Sequence, residues 1–253
     1  MTMEATEEYQ PASDPRYRLL GRARKGNAFE ETVEQLLRGI RIGIFAPGER
    51  LPAERDLSEV LGVSRATLRD ALAELQKAQY LTIQRGRYGG AFVTSDPPAR
   101  SEKLGWKDQE MVEDVLAFRA VVEPAAAALA AESSLTAAQR TRLLDTLRAV
   151  STATPGQYRP LDARLHICIA ELTPSRRLAA AVAEARAATS DMLDRIPFLE
   201  RNIEHSEEQH QAIVDAILGG NPTRARALME EHLEGTAALL RGFLAGKRDE
   251  PSA

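Results

Sequence analysis

Apolar residues follow two regimes along the chain. Up to residue 93 the spacing passes from helical to strand-like, and from about residue 109 it stays helical to the end. Phe29, Val33, Leu36, Leu37 and Ile40 predict a helix over about Ala28 to Ile42, stopped by Gly43 and followed by a turn at Pro47-Gly48. Glu54 to Leu61 reads as a short second helix, with Pro52 near its start and Gly62 at its stop. Ser64 caps a third, Arg65 to Ala78, whose buried stripe is Leu68, Ala71, Leu72 and Leu75. Two short strands, Leu81 to Gln84 and Ala91 to Val93, flank the glycine-rich segment Arg85-Gly86-Arg87-Tyr88-Gly89-Gly90.

Beyond a Ser95-Asp96-Pro97-Pro98 linker, helices are expected near 109–132, 136–150, 158–173, 175–195, 203–218 and 222–245. Thr136 and Asn221-Pro222 are start signals, and Gly219-Gly220 is a stop. The fold class is therefore mainly α. An N-terminal winged helix-turn-helix (three helices plus a β-hairpin wing) precedes a C-terminal all-α antiparallel helical bundle. The expected divisions are a disordered and basic arm over 1–25, the winged module over 26–95, a linker over 96–107, and a helical effector-binding and dimerisation domain over 108–247.

Charge sharpens this division. The net charge of −4 hides an asymmetry: residues 1–15 hold four acids and no Lys or Arg, residues 16–95 hold 14 basic against 9 acidic residues, and residues 96–253 hold 19 against 24. A basic segment joined to an acidic remainder suggests one module that meets a polyanion and one that does not. Arg16 to Lys25 carries five basic residues, which suit either a solvated tail or added phosphate contact. Cys168 is the sole cysteine, so no internal disulfide forms, which fits the cytoplasm, and Cys168 reads as a small core residue. The acidic N-terminal residues do not read as a signal peptide, and the longest apolar run, Val121 to Ala131, is broken by Glu123 and Pro124, so no membrane partner is expected.

The third helix is the natural recognition element. Arg65 and Arg69, at i and i+4, share the face opposite its buried stripe, with Thr67 in the first turn. Arginine offers a bidentate fork to guanine, and threonine reaches a base edge or a phosphate. Arg55 on the preceding helix is placed for the DNA backbone, and Arg85 and Arg87 with Gly86 tip the hairpin. The bland alternative is an ordinary solvated face.

The stretch Gly48-Glu49-Arg50-Leu51-Pro52-Ala53-Glu54-Arg55-Asp56-Leu57, with Leu61-Gly62-Val63-Ser64-Arg65-Ala66-Thr67-Leu68-Arg69-Asp70-Ala71-Leu72, closely resembles the N-terminal domain of GntR-family bacterial regulators, and Gly86 to Val93 resembles their wing. The resemblance implies operator contacts by Arg55, Arg65, Thr67, Arg69 and Gly86, with Arg85 in the wing.

All four histidines lie in the helical half. Asp162 and His166 are i, i+4 on one helix. His210 lies on a stripe with Ile213 and Ile217, and His232 on one with Ala225, Leu228, Met229 and Leu239. One carboxylate and three imidazoles from three helices make a divalent-metal site if all face the core; hydrogen-bonded core histidines are the plain alternative. Asp162-x3-His166, His210 and Met229-Glu230-Glu231-His232-Leu233 resemble the FCD-type effector domain of the FadR subfamily. That resemblance implies a metal held by these four positions and helping to bind a carboxylate effector. Zinc, nickel and manganese fit the donor set equally. His205 falls outside the pattern and reads as a surface residue. Arg119 and Glu123, i, i+4, are either a structural ion pair or, as the resemblance implies, an effector pocket with Arg119 as carboxylate anchor.

The expected function is therefore a DNA-binding transcriptional regulator, read as a repressor. It acts as a homodimer on double-stranded operator DNA and answers to a small carboxylate; it is not an enzyme. The alternatives are a metal-dependent hydrolase, for which no well-placed general base is evident, and a regulator with a purely structural metal.

Overall fold

A computed structural model of the chain describes residue 17 and residues 20–24, 26–41, 43–86, 89–95 and 106–244. Among the described residues there are nine helices and one two-stranded antiparallel sheet. The chain divides into two compact units, Met1–Ala99 and Arg100–Ala253.

The first unit holds α1 (Ala28–Arg41), α2 (Glu54–Leu61), α3 (Arg65–Lys77), β1 (Leu81–Gln84) and β2 (Gly90–Val93). The apolar stripes converge: Val33, Leu36, Leu61, Leu68 and Leu75 are fully buried. Gly62 ends α2 at φ 69°, a left-handed conformation that glycine adopts without a Cβ penalty. Two residues on, the Ser64 hydroxyl accepts the Thr67 amide at 3.0 Å and caps α3. Leu81 pairs with Val93 and Gln84 with Gly90.

Two features here differ from the sequence reading. Residues 49–51 add an edge to the hairpin, with Leu51 N–H donating to Ala91 O at 2.8 Å and Val93 N–H to Glu49 O at 2.9 Å. Arg50 forms a single isolated bridge, to Phe92, too short a stretch for strand alternation to mark. The described part of the arm is also packed rather than loose. Tyr17 and Leu20 are buried, and the Tyr17 ring lies 6.0 Å from that of Phe45. The expected disorder over 1–15, together with Arg16, Arg18, Leu19, Lys25, Arg87, Tyr88 and most of the linker, lies outside the described residues.

The second unit is all-helical: α4 (Trp106–Glu132), α5 (Ala137–Ser151), α6 (Pro155–Glu171), α7 (Arg176–Leu193), α8 (Glu200–Leu218) and α9 (Pro222–Leu244). Helix α4 takes in Trp106 and Lys107, which the sequence assigns to the linker, and runs through Pro124. Helix α6 begins earlier than its apolar pattern because Pro155 supplies a first helical residue and Gln157 Oε1 accepts from the Thr154 hydroxyl at 2.9 Å. Thr136 and Gln139 close a reciprocal capping box on α5. Leu143, Leu165, Cys168, Ile169, Val214 and Met229 belong to one continuous core joining α5, α6, α8 and α9. A smaller cluster, with Val122, Ala170, Val182 and Ala185, joins α4, α6 and α7. Buried polar groups lie on the inward faces of these helices.

Candidate functional sites

Asp162, His166, His210 and His232 meet inside the second unit. All four are buried, and one ligand atom from each lies within 4.8 Å of all the others. Two successive turns of α6 carry Asp162 and His166, while α8 and α9 bring His210 and His232 across from the other side. Asp162 Oδ1 stands 3.2 Å from His210 Nε2 and 3.7 Å from His166 Nε2, and the Nε2 atoms of His210 and His232 are 3.3 Å apart.

The neighbours of these rings decide which nitrogen faces inward. Glu123 Oε2 lies in a short contact with His166 Nδ1, and Gln209 Oε1 is 3.0 Å from His232 Nδ1. Both oxygens are acceptors, so each Nδ1 carries the proton and each Nε2 presents a lone pair to the cluster. His166 Nε2 is buried with no hydrogen-bond partner. Burial pushes the His166 imidazole down to about 4, against the pull of Glu123, and drives His232 down as well, with His210 adding to the shift. Both rings are therefore neutral at pH 7. Asp162 stays ionised: although burial opposes it, the Arg186 guanidinium beside it holds the carboxyl well below its usual range. An orphaned lone pair, two further imidazoles and one carboxylate are a donor set that fits a divalent cation.

Two buried arginines complete the surroundings. Arg186 pairs with Asp162 through Oδ2, leaving Oδ1 for the cluster. Arg119 pairs through Nε with Glu123 Oε1 at 2.5 Å, while its Nη1 and Nη2 are buried without a partner. Glu123 is held down to about 2 despite its burial, by Arg119 first and His166 second. A cavity of about 40 Å³, lined by Tyr158, Asp162, Ser206 and His232 among others, reaches the cluster. A second, of about 290 Å³ between α4 and α9, reaches Arg119.

In the first unit, Arg65 and Arg69 project from α3 with side chains 58% and 59% exposed, and both approach Glu54 Oε2, at 3.9 and 2.6 Å. Thr67 keeps its hydroxyl 2.8 Å from that of Ser64. Arg55 is exposed on α2 beside Asp56, at 2.9 Å. Arg85 is exposed where β1 ends, and Gly86 follows at φ 109°.

Comparison with known proteins fixes the family. Residues 29–93 match the model of bacterial regulatory proteins of the gntR family, and residues 114–235 match the FCD domain. The chain is 30% identical over 218 residues to the HTH-type transcriptional regulator Mce2R of Mycobacterium tuberculosis, covering 81% of this chain and 88% of that one. The chain belongs to the GntR family. This GntR-family regulator also resembles the Uxu operon regulator of Haemophilus influenzae, at 27% identity over 225 residues, covering 82% of this chain and 80% of its relative. Among solved structures, E. coli McbR/YncC aligns with a TM-score of 0.45 and 20% identity, covering 84% of this chain and 96% of that chain.

In this GntR-family chain the FCD domain carries the acid-and-histidine cluster, and its presence fits the FadR-like branch. Arg119 joins the cluster indirectly, through Glu123 and His166. His205 is not part of it, and Cys168 is buried in the core. The sequence reading missed Arg186, Gln209 and the contact of Glu123 with His166. Arg186 carried a signal: it shares the buried stripe of Val182 and Thr189 in an otherwise alanine-rich helix. Gln209 carried none, since it meets His232 from a different helix. Among the described residues no helix is long and apolar enough to cross a membrane.

Proposed function

We propose that this transcriptional regulator is a cytoplasmic repressor whose grip on operator DNA is set by a small carboxylate bound at a metal-bearing FCD domain. The observations that carry this reading are the pair of buried, unpartnered terminal nitrogens on Arg119, a residue joined to the cluster through Glu123, and the buried, unpartnered His166 Nε2. Without a metal, Arg119 and Arg186 are balanced by Glu123 and Asp162, and the His166 and His232 imidazoles are neutral. A divalent ion held by Asp162, His166, His210 and His232 would add two positive charges in a buried place, and buried charge needs pairing. A small carboxylate supplies that charge and accepts from Arg119. When bound, such an ion would supply Lewis acidity toward a carboxylate oxygen.

The chain's own residues do the rest. Glu123 and Gln209 aim two rings, and Arg186 fixes which Asp162 oxygen faces inward. The cavity beside the cluster is small, about 40 Å³, so a carboxylate entering it would press on the surrounding helices and spread them. Such spreading gives the ligand different contacts in two states, which any control of the DNA-binding unit requires. On the DNA side, Arg65, Thr67 and Arg69 read bases, while Arg55, Arg85 and Gly86 serve the backbone and wing. Glu54 holds the two readout arginines until DNA replaces it.

Elemental analysis of purified protein, then calorimetric titration with small carboxylates before and after chelation, tests this reading. The expected result is about one zinc, nickel or manganese ion per chain and carboxylate affinity that falls on chelation. No metal, with melting and carboxylate affinity indifferent to added zinc, nickel and manganese, would leave the four residues as core polar groups. Metal that supports folding but not carboxylate binding would make the ion purely structural.

A further inference from the structure

The arm that precedes α1 places a cation beside the recognition helix. Leu20 is buried, Gly21 N–H donates to Gln35 Oε1 at 2.9 Å, and Ala23 N–H donates to Leu61 O at 2.9 Å. These contacts pin the backbone on both sides of Arg22. Its guanidinium lies close to Gly62, the left-handed residue of the helix-turn-helix turn: a Cβ on Gly62 would stand 2.8 Å from Arg22 Nε. Gly62 is held as glycine by its backbone conformation, and the flexible guanidinium beside it could move aside for a Cβ.

Arg22 is exposed, and among the described residues no carboxylate pairs with it. Its neighbour Arg24 differs, with Nε 2.9 Å from Glu31 Oε1. A surface cation on a pinned backbone, with no carboxylate partner among the described residues, is available to an anion from outside. Its position names that anion. Gly62 is two residues from Ser64, the cap of α3, so their Cα atoms are at most about 7.6 Å apart. The N-terminal end of a recognition helix enters a major groove about 12 Å wide, walled by phosphates.

We propose that Arg22 is a contact to the DNA phosphate backbone at the wall of the groove entered by α3, extending the DNA-binding surface beyond the helix-turn-helix and wing. The proposal rests on α3 being the DNA-reading helix. Because the contact is to phosphate, it adds affinity without sequence preference.

Fluorescence anisotropy of the full chain on a random-sequence 30-base-pair duplex, across a potassium chloride series, tests it. Arg22→Gln should make the dependence of log K on log salt shallower by about 0.9 for each protomer bound. Arg22→Lys should keep the wild-type slope. Should Arg22→Gln melt early, Arg22→Met, which retains apolar packing over Gly62, is read in its place. An unchanged slope in the folded neutral variant overturns the proposal, as does an equal loss of slope in Arg22→Lys. If the wild-type chain binds no duplex at any salt, the DNA-reading role of α3 fails together with it.

Discussion

Single residues divide into those that carry a role alone and those that act through a neighbour. Arg65 and Arg69 belong to the first kind: each is exposed and, among the described residues, pairs only with Glu54. Changing either to alanine should cost about 1–3 kcal/mol on a preferred DNA site and much less on random duplex, measured by competition anisotropy. Equal losses on both would move these residues from base reading to phosphate contact. Glu123 belongs to the second kind, since it touches the cluster only through His166. Glu123→Gln should weaken metal binding by about 10- to 100-fold in chelator competition, while Glu123→Asp recovers part of it. The same groups set the acid response of the metal-free domain. Burial lowers His166 from 6.5 to about 4, so between those values the unfolded chain takes up protons that the folded chain refuses. Stability should therefore fall as pH drops from 6.5 toward 4, followed by thermal melting in chelator; a flat profile would contradict the buried neutral imidazole. At this scale the sequence was legible wherever chemistry is local. The i, i+4 pair Asp162 and His166 could be read, and so could the stripes bearing His210 and His232. The partners of those rings could not, because Glu123 and Gln209 reach them from other helices.

Among the helices and strands, patterning located nearly everything and mislaid mainly starts. Helix α6 begins at Pro155 and α8 at Glu200, both before the first strongly periodic residue, because end signals extend a helix beyond its buried stripe. Helix α4 carries an additional message. Met111, Phe118, Val121 and Leu129 are exposed along one side of it, with Val121 68% exposed. Their spacing of 7, 3 and 8 residues keeps them within one helical face. A second copy of the chain is the expected cover, since a single winged module reads too few base pairs to select a site and paired half-sites require a two-fold dimer. Sedimentation should show a dimer for the wild type and a shift toward monomer for Val121→Glu, with the melting temperature nearly unchanged. A wild-type monomer that binds one half-site at full affinity would contradict this.

At the scale of the whole molecule, the central claim is that the FCD domain and the DNA-binding domain are thermodynamically linked. A carboxylate can move DNA affinity only if it binds the two states of the protein unequally, and the coupling must be reciprocal. The decisive measurement is the affinity of the metal-loaded full chain for a duplex enriched from a random pool, with and without a carboxylate already shown by calorimetry to bind. The account predicts a change of at least about fivefold, typical of allosteric coupling, abolished in His210→Ala and by chelation. DNA affinity that stays constant while metal and carboxylate both occupy the domain would contradict it.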